Sequence, residues 1–244
     1  MAAIVEVENV SFSAQNRLLI RGVSYQYEEG KTTALVGPSG SGKSTLLKLS
    51  AGLLVPSQGE IRFRNKAIAR MDRKDNLEFR REGAVVFQDS ALWANQSLFQ
   101  ILELPLRIHF PKMARKEREQ RIEAVIAEVG YKKDLGIRPS LLSMGEQKLL
   151  AFARALICRP RLLYLDEWTE SLDENAAQRL IAIVRKKQKE GLTIIFVSHD
   201  LRIIKSLADD IVMILGGKIF LRLTREQITG DEDLMRYLEN GIAS

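Results

Sequence analysis

The 244-residue chain is 45% hydrophobic and carries 37 Lys and Arg against 31 Asp and Glu, a formal net charge of +6. That composition excludes a disordered chain and is enough for one large core, while the charge suits an anionic ligand or surface and is too mild to imply nucleic acid. Nowhere do 18 apolar residues run together, which excludes a spanning helix, and the single Cys158 excludes an internal disulfide. With no candidate signal peptide, the reducing cytoplasm is the expected compartment, and any membrane role is exercised through a partner.

Alternating apolar residues over Ile4–Val10 and Val23–Tyr27 predict two antiparallel strands, and Glu29-Gly30 turns the chain into a buried strand at Thr33-Ala34-Leu35-Val36. That strand runs into Gly37-Pro38-Ser39-Gly40-Ser41-Gly42-Lys43-Ser44-Thr45, which fits the pattern G-x-x-x-x-G-K-[ST] at every fixed position. A helix follows from Thr45. The spacing has a chemical reason: glycines let backbone N–H groups turn onto phosphate oxygens, and the helix aims its positive end at them. Lys43 reaches the β- and γ-phosphates, and the Ser44 hydroxyl is a ligand for Mg2+.

Further along, Ala51-Gly52-Leu53 ends the helix, Pro56 to Gly59 makes a turn, and Glu60–Phe63 reads as a short strand. Ala84-Val85-Val86-Phe87 is another buried strand, with Gln88 at its exit into a polar loop. From Leu98 to Ile157 the pattern is helical, with Ile122, Val125, Ile126 and Val129 on one face and the charge run from Lys112 to Arg121 on its solvated side. His109 reads as a loop residue without a catalytic role, and Cys158 as core filler.

After Arg159-Pro160, the apolar run Leu162–Leu165 predicts a central parallel strand that delivers Asp166 and Glu167 at its C-terminal edge, facing the phosphate site. A helix over Ala176–Gln188 leads to the strand Thr193–Val197, which ends in Ser198-His199-Asp200. Gly216-Gly217 joins two strands as a hairpin, and two short helices close the chain. Asp231 is the expected N-cap of the last one, Leu234, Tyr237 and Leu238 its apolar stripe, and Asn240-Gly241 its C-cap.

The P-loop, Gln88, Leu142-Ser143-Met144-Gly145-Glu146-Gln147, Leu165-Asp166-Glu167, Ser171-Leu172-Asp173 and His199, in that order, resemble the nucleotide-binding subunit of an ABC transporter over nearly the whole chain. The resemblance implies a P-loop NTPase (RecA-like) α/β fold: a mostly parallel sheet core, an antiparallel β subdomain and an inserted α-helical subdomain. It implies a single domain over 1–244. Residues 1–88 and 160–223 then form the β subdomain and core, 89–159 the helical subdomain, and 224–244 a C-terminal helical tail.

The same resemblance implies roles. Glu167 is the general base, His199 contacts the γ-phosphate and orients that base, and Gln88 senses the γ-phosphate and the metal, beside Lys43. Asp166 joins Ser44 and Gln88 around Mg2+. Ser143, Met144, Gly145 and Glu146 form a signature that faces ATP on the other subunit, and Asp173 crosses the same interface. Expected partners are a second copy in an ATP-sandwich dimer and an integral membrane permease, with the subunit peripheral on the cytoplasmic face of the inner membrane.

Three positions depart from the family pattern: Met144 replaces a glycine, Trp168 a proline, and Ala14 stands where an aromatic stacks on adenine. Met144 is expected to slow the composite site, and Ala14 to weaken discrimination between ATP and GTP. Phe12, two residues before Ala14, is expected in the core. The segment Phe87 to Trp93, Leu104-Pro105-Leu106-Arg107, Ala14 and the tail Leu238-Glu239-Asn240-Gly241 look like the ATPase of MCE-linked (Mla-type) phospholipid transporters. That likeness implies an MCE-type lipid-carrying protein as a further partner. The alternatives are lipoprotein release, small-solute transport, and a soluble regulator that binds ATP without driving transport, against which Glu167 and His199 both stand.

Overall fold

A computed structural model describes residues 2–230. Strands β1 (Ala3–Ala14) and β2 (Arg17–Glu28) form a long hairpin, followed by β3 (Thr32–Val36) and helix α1 (Lys43–Ser50). Next come β4 (Gln58–Phe63), the short β5 (Lys66–Ala67), α2 (Arg73–Glu82) and β6 (Gly83–Val86). Three helices follow, α3 (Leu98–His109), α4 (Arg115–Val129) and α5 (Met144–Leu156). The chain then alternates β7 (Leu162–Asp166), α6 (Glu174–Lys189), β8 (Thr193–Val197), α7 (Leu201–Leu207) and β9 (Asp210–Leu215), and continues through β10 (Lys218–Thr224) into α8 (Arg225–Gly230).

The strands make two sheets. One is antiparallel, in the order β2-β1-β4-β5; the other has the order β10-β9-β3-β8-β7-β6, parallel except for the β10 edge. Side chains of the central strands alternate between two cores, as the period of two requires. Ala34, Leu163, Leu165, Ile194 and Phe196 enter the core shared with α3, α4 and α5, whereas Leu35, Leu162, Tyr164, Ile195 and Val197 enter the one shared with α1 and the antiparallel sheet. Strands buried on both faces carry continuous apolar runs, Ala34–Val36 in β3, Leu162–Leu165 in β7 and Ile194–Val197 in β8, with their buried polar residues, Thr32, Thr33, Asp166 and Thr193, toward the strand ends.

Polar ties fix α1 between the sheets. The buried Tyr164 hydroxyl donates to Ser50 O at 2.8 Å, and the Arg80 guanidinium donates to Ala51 O and Gly52 O at 3.0 and 2.7 Å. The C-terminal carbonyls of α1 are thus satisfied by β7 and α2, and the helix that follows the P-loop is held at its far end.

Several sequence expectations change. α2 is a helix the pattern did not announce, because its one buried residue, Phe79, leaves no apolar stripe to read. The helical stretch from Leu98 to Ile157 resolves into three helices; Gly130 in the left-handed conformation ends α4, and a 3-10 turn at Pro139–Leu141 precedes α5. His109 is the last residue of α3, not a loop residue, and its buried Nδ1 has no partner. Arg118 and Arg121 turn inward from the charged run, to Glu103 at 2.9 Å and to Ile157 O at 2.8 Å. Phe12 and Cys158 pack against the two cores as partly buried side chains. The cap at Asp231, the stripe of Leu234, Tyr237 and Leu238, and Asn240-Gly241 lie outside the described residues.

Candidate active site

The P-loop sits between the end of β3 and the start of α1, and its glycines are required by space as well as by conformation. Gly37 has φ 138°, and a Cβ there would lie 2.2 Å from Ile214 O. Gly42, the N-cap of α1, has φ 108°, and its Cβ would meet Ile20 Cδ1 at 2.8 Å. No L side chain fits either place. Lys43 Nζ donates to Gly37 O and Pro38 O, both at 2.9 Å, which lays its ammonium across the mouth of the loop. Burial lowers the Lys43 pKa, and Glu167 and Asp166 partly offset this. The Ser41 hydroxyl is buried without a partner, and the first turn of α1 carries no acidic side chain. An orphaned donor beside a helix N-terminus and an ammonium fits a phosphate.

At the C-terminal edge of β7, Asp166 is 3% exposed and accepts from Ser44 Oγ at 2.6 Å, with Lys48 Nζ 3.6 Å from its other oxygen. The next residue, Glu167, has φ 43°, a strained conformation held by its N–H bonding Val197 O on the neighbouring strand. Its carboxyl pKa is pushed up to about 7, first by burial, with Lys43 opposing and Glu170 and Asp166 adding to it. His199 Nε2 lies 2.9 Å from Glu167 Oε1. Burial and then Lys43 lower the histidine pKa, which favours the neutral imidazole, whose Nε2–H can donate to Glu167 when that carboxyl is ionised. Gln88 Nε2 donates to Glu170, whose own N–H bonds Glu167 O. The hydroxyl of Ser44, the carboxylate of Asp166 and the amide oxygen of Gln88 are hard oxygen donors, which fits Mg2+.

The remaining sequence-predicted residues stand apart. Ser143 is the N-cap of α5 in a reciprocal capping box: its hydroxyl accepts from Glu146 N at 3.3 Å and its N–H donates to Glu146 Oε2 at 3.0 Å. Glu146 is further held by Lys133 at 2.7 Å. Met144 is 58% exposed, and a Cβ on Gly145 would come within 3.1 Å of Ala176 Cβ, where α5 meets the start of α6. Asp173 caps α6 by accepting from Ala176 N at 2.9 Å. Among the described residues, no hydrogen bond or ion pair joins this group to the P-loop cluster. Trp168 is fully buried, edge-on to Phe152 of α5 at 5.7 Å between ring centroids, with its indole N–H unpartnered. The turn after Glu167 is therefore anchored by an aromatic in the core.

Sequence reasoning missed Glu170, Lys48, Lys148 and Arg154. Lys148 is 3% exposed and donates to Phe87 O at 2.8 Å and to Gln88 O; Arg154 donates to Ser90 O at 2.9 Å and to Ala91 O. The one available signal was the pair of cations, Lys148 and Arg154, in a stretch of α5 that is otherwise apolar after Gln147.

A glycine-rich phosphate loop, a hydroxyl bonded to a strand-end aspartate, and a raised-pKa glutamate beside a histidine define a P-loop nucleoside triphosphatase. The ABC transporter family model matches residues 20–170. Relatives include the uncharacterised ABC transporter ATP-binding protein YejF of Escherichia coli K12, 36% identical over 208 residues. That match covers 84% of this chain and 39% of YejF, so the chain spans well under half the length of that relative. The nickel import ATP-binding protein NikE of Brucella abortus is 35% identical over 92% of this chain and 84% of its own. The intermembrane phospholipid transport system ATP-binding protein MlaF of Haemophilus influenzae is 34% identical over 95% and 88%.

Among solved structures, the dimeric ATP-binding cassette MJ0796, in a post-hydrolysis state bound to ADP and Pi, superposes with a TM-score of 0.83 at 26% identity, over 91% of this chain and 98% of that one. CbiO1 of Clostridium perfringens, part of the ABC transporter complex cbiONQ, gives 0.81 at 27%, over 98% and 96%. The chain belongs to the ABC transporter family, as one of its ATP-binding ATPase subunits.

Proposed function

We propose that two copies of this chain sandwich two ATP molecules head to tail and that hydrolysis drives an integral membrane permease, with phospholipid as the cargo. The observation that carries the hydrolytic part is Glu167: a carboxyl with a pKa near 7, in contact with His199 and one residue beyond the Asp166 that bonds Ser44. A water oxygen attacks the γ-phosphorus, its proton passes to Glu167, and the bond to the β-phosphate oxygen breaks to give ADP and phosphate. Lys43 and the P-loop N–H groups hold the phosphates, and His199 orients the base and contacts the γ-phosphate. Mg2+, held by Ser44, Asp166 and Gln88, would neutralise phosphate charge.

Among the described residues, no hydrogen bond or ion pair ties the exposed Met144 and the α5 N-terminus with Ser143 and Gly145 to the P-loop cluster, which supports their facing the ATP of a second copy. Glu146 serves there by holding the Ser143 cap, and Asp173 by fixing the start of α6 beside Gly145. The nearly full-length similarity to MlaF supports a phospholipid cargo and, with it, an MCE-type lipid-carrying partner. The similarity to NikE favours a second reading, import of a small solute such as a nickel ion. Among the described residues no helix is long and apolar enough to cross a membrane. In this reading the permease supplies the spans and the subunit docks on it peripherally at the cytoplasmic face.

Purifying the tagged protein from membranes in mild detergent, then identifying co-purifying proteins and lipid by mass spectrometry, tests the cargo. A permease with an MCE protein and phospholipid is the expected result. A metal-import permease without lipid moves the cargo to the second reading, and recovery of the chain alone removes the transport role.

A further inference from the structure

The loop after β6 carries Gln88, and its backbone is unusual. Ser90 and Ala91 both adopt left-handed conformations, with φ 62° and 45°, in a segment without glycine. Two successive non-glycine residues in that region cost on the order of 1–3 kcal/mol each unless the surroundings hold them. What holds them comes from α5. Arg154 donates to both carbonyls of the strained pair, through Nη2 to Ser90 O at 2.9 Å and through Nη1 to Ala91 O, and its guanidinium lies 5.9 Å from the centre of the Trp93 ring. Six residues earlier on the same helix, the buried Lys148 donates to Phe87 O at 2.8 Å and to Gln88 O. Four carbonyls of one five-residue loop thus accept from two cations of one helix.

These bonds are not incidental surface contacts. Lys148 is 3% exposed and its pKa is lowered by burial, with Asp89, Asp166 and Glu170 acting in the opposite direction. A buried ammonium must be satisfied, and its partners here are main-chain carbonyls that no side-chain substitution could reposition. The loop therefore cannot shift relative to α5 without stranding a charge. At its N-terminus α5 carries Ser143, which in the reading above faces the partner's ATP, while Gln88 faces this chain's own ATP.

We propose that Lys148 and Arg154 are positioning residues that lock the Gln88 loop to α5, so that engagement of Gln88 at one nucleotide sets the position of Ser143 at the other. The proposal rests on the ATPase reading and adds to it the link between the two sites. Lys148 fixes where the Gln88 backbone sits; Arg154 fixes the left-handed turn that carries the loop on to Trp93.

The test uses the full chain with MgATP, comparing native protein with Lys148→Met, Lys148→Arg and Arg154→Lys. In Lys148→Met, kcat falls roughly tenfold and the Hill coefficient for ATP falls from about 2 toward 1, with KM within about twofold. Lys148→Arg, which keeps charge and donors, recovers much of the loss. In Arg154→Lys and Lys148→Met, amide exchange in residues 87–93 speeds up while α5 stays protected. Unchanged kcat, Hill coefficient and exchange would overturn the proposal. So would a raised KM and weakened nucleotide binding alongside the lower kcat, because that pattern marks a general loss of structure. Glu167→Gln is measured alongside: if it turns over ATP at the native rate, the assignment of hydrolysis to the Glu167 site falls and takes the clamp with it, whereas an inactive Glu167→Gln beside an unaltered Lys148→Met removes the clamp alone.

Discussion

Lys43 and Lys148 have the same local chemistry and different reach. Each is almost fully buried, each has its pKa lowered by burial, and each donates to two successive main-chain carbonyls: Gly37 and Pro38 for one, Phe87 and Gln88 for the other. Lys43 closes a loop within its own motif, five and six residues away. Lys148 closes one sixty residues away, across a helical region. The first arrangement shapes a binding site. The second joins that site to a distant helix, so the two should fail differently when broken.

Of the two lysines, the larger expected effect is at Lys43. Lys43→Ala removes the ammonium at the mouth of the P-loop and should lower kcat/KM for ATP by roughly 10²- to 10³-fold, with nucleotide binding by fluorescence titration falling as well. Binding that survives while only cooperativity is lost would make Lys43 resemble Lys148 and would erase the contrast. Lys148→Met, with its roughly tenfold loss in kcat at steady KM, comes next.

A pH profile sharpens the comparison further. In the proposed mechanism Glu167 accepts a proton and must be ionised; its pKa is pushed up to about 7, so kcat should rise with pH through that value. Glu170 raises the Glu167 pKa, so Glu170→Gln should lower it and shift the acid limb of the profile to lower pH. At pH 6 the variant would then be more active, relative to its own plateau, than the native protein. A limb that stays put, or moves upward, would remove Glu170 from the electrostatics of the site. The smallest effect is expected at Trp168. Its indole N–H is buried without a partner, so Trp168→Phe should change stability in urea by less than about 1 kcal/mol, whereas Trp168→Ala should cost about 3–5 kcal/mol.

Legibility in the sequence follows the same division. The P-loop, the apolar runs of β3, β7 and β8, and the polar residues at their ends could be read directly, because strands buried on both faces leave no ambiguity about direction or edge. The Gly216-Gly217 hairpin was equally plain. The helical region was legible only in part. α2 buries one aromatic and is otherwise charged, so no stripe reports it. Lys148 and Arg154 gave no sign of where they point, since a cation on an apolar helix is as compatible with solvent as with a carbonyl sixty residues distant. Glu170 reaches Gln88 through a turn whose strained residues, Glu167 and Ser171, are not glycines and carry no turn signal. Contacts local in sequence were visible, and contacts made by the fold were not.

The most direct test of the account is Glu167→Gln examined by size-exclusion light scattering with MgATP, with hydrolysis measured on the same sample. The account predicts a roughly 10³-fold loss of turnover together with a stable dimer that retains two ATP molecules. A protein that stays monomeric at saturating MgATP and hydrolyses ATP within about threefold of the native rate would contradict it.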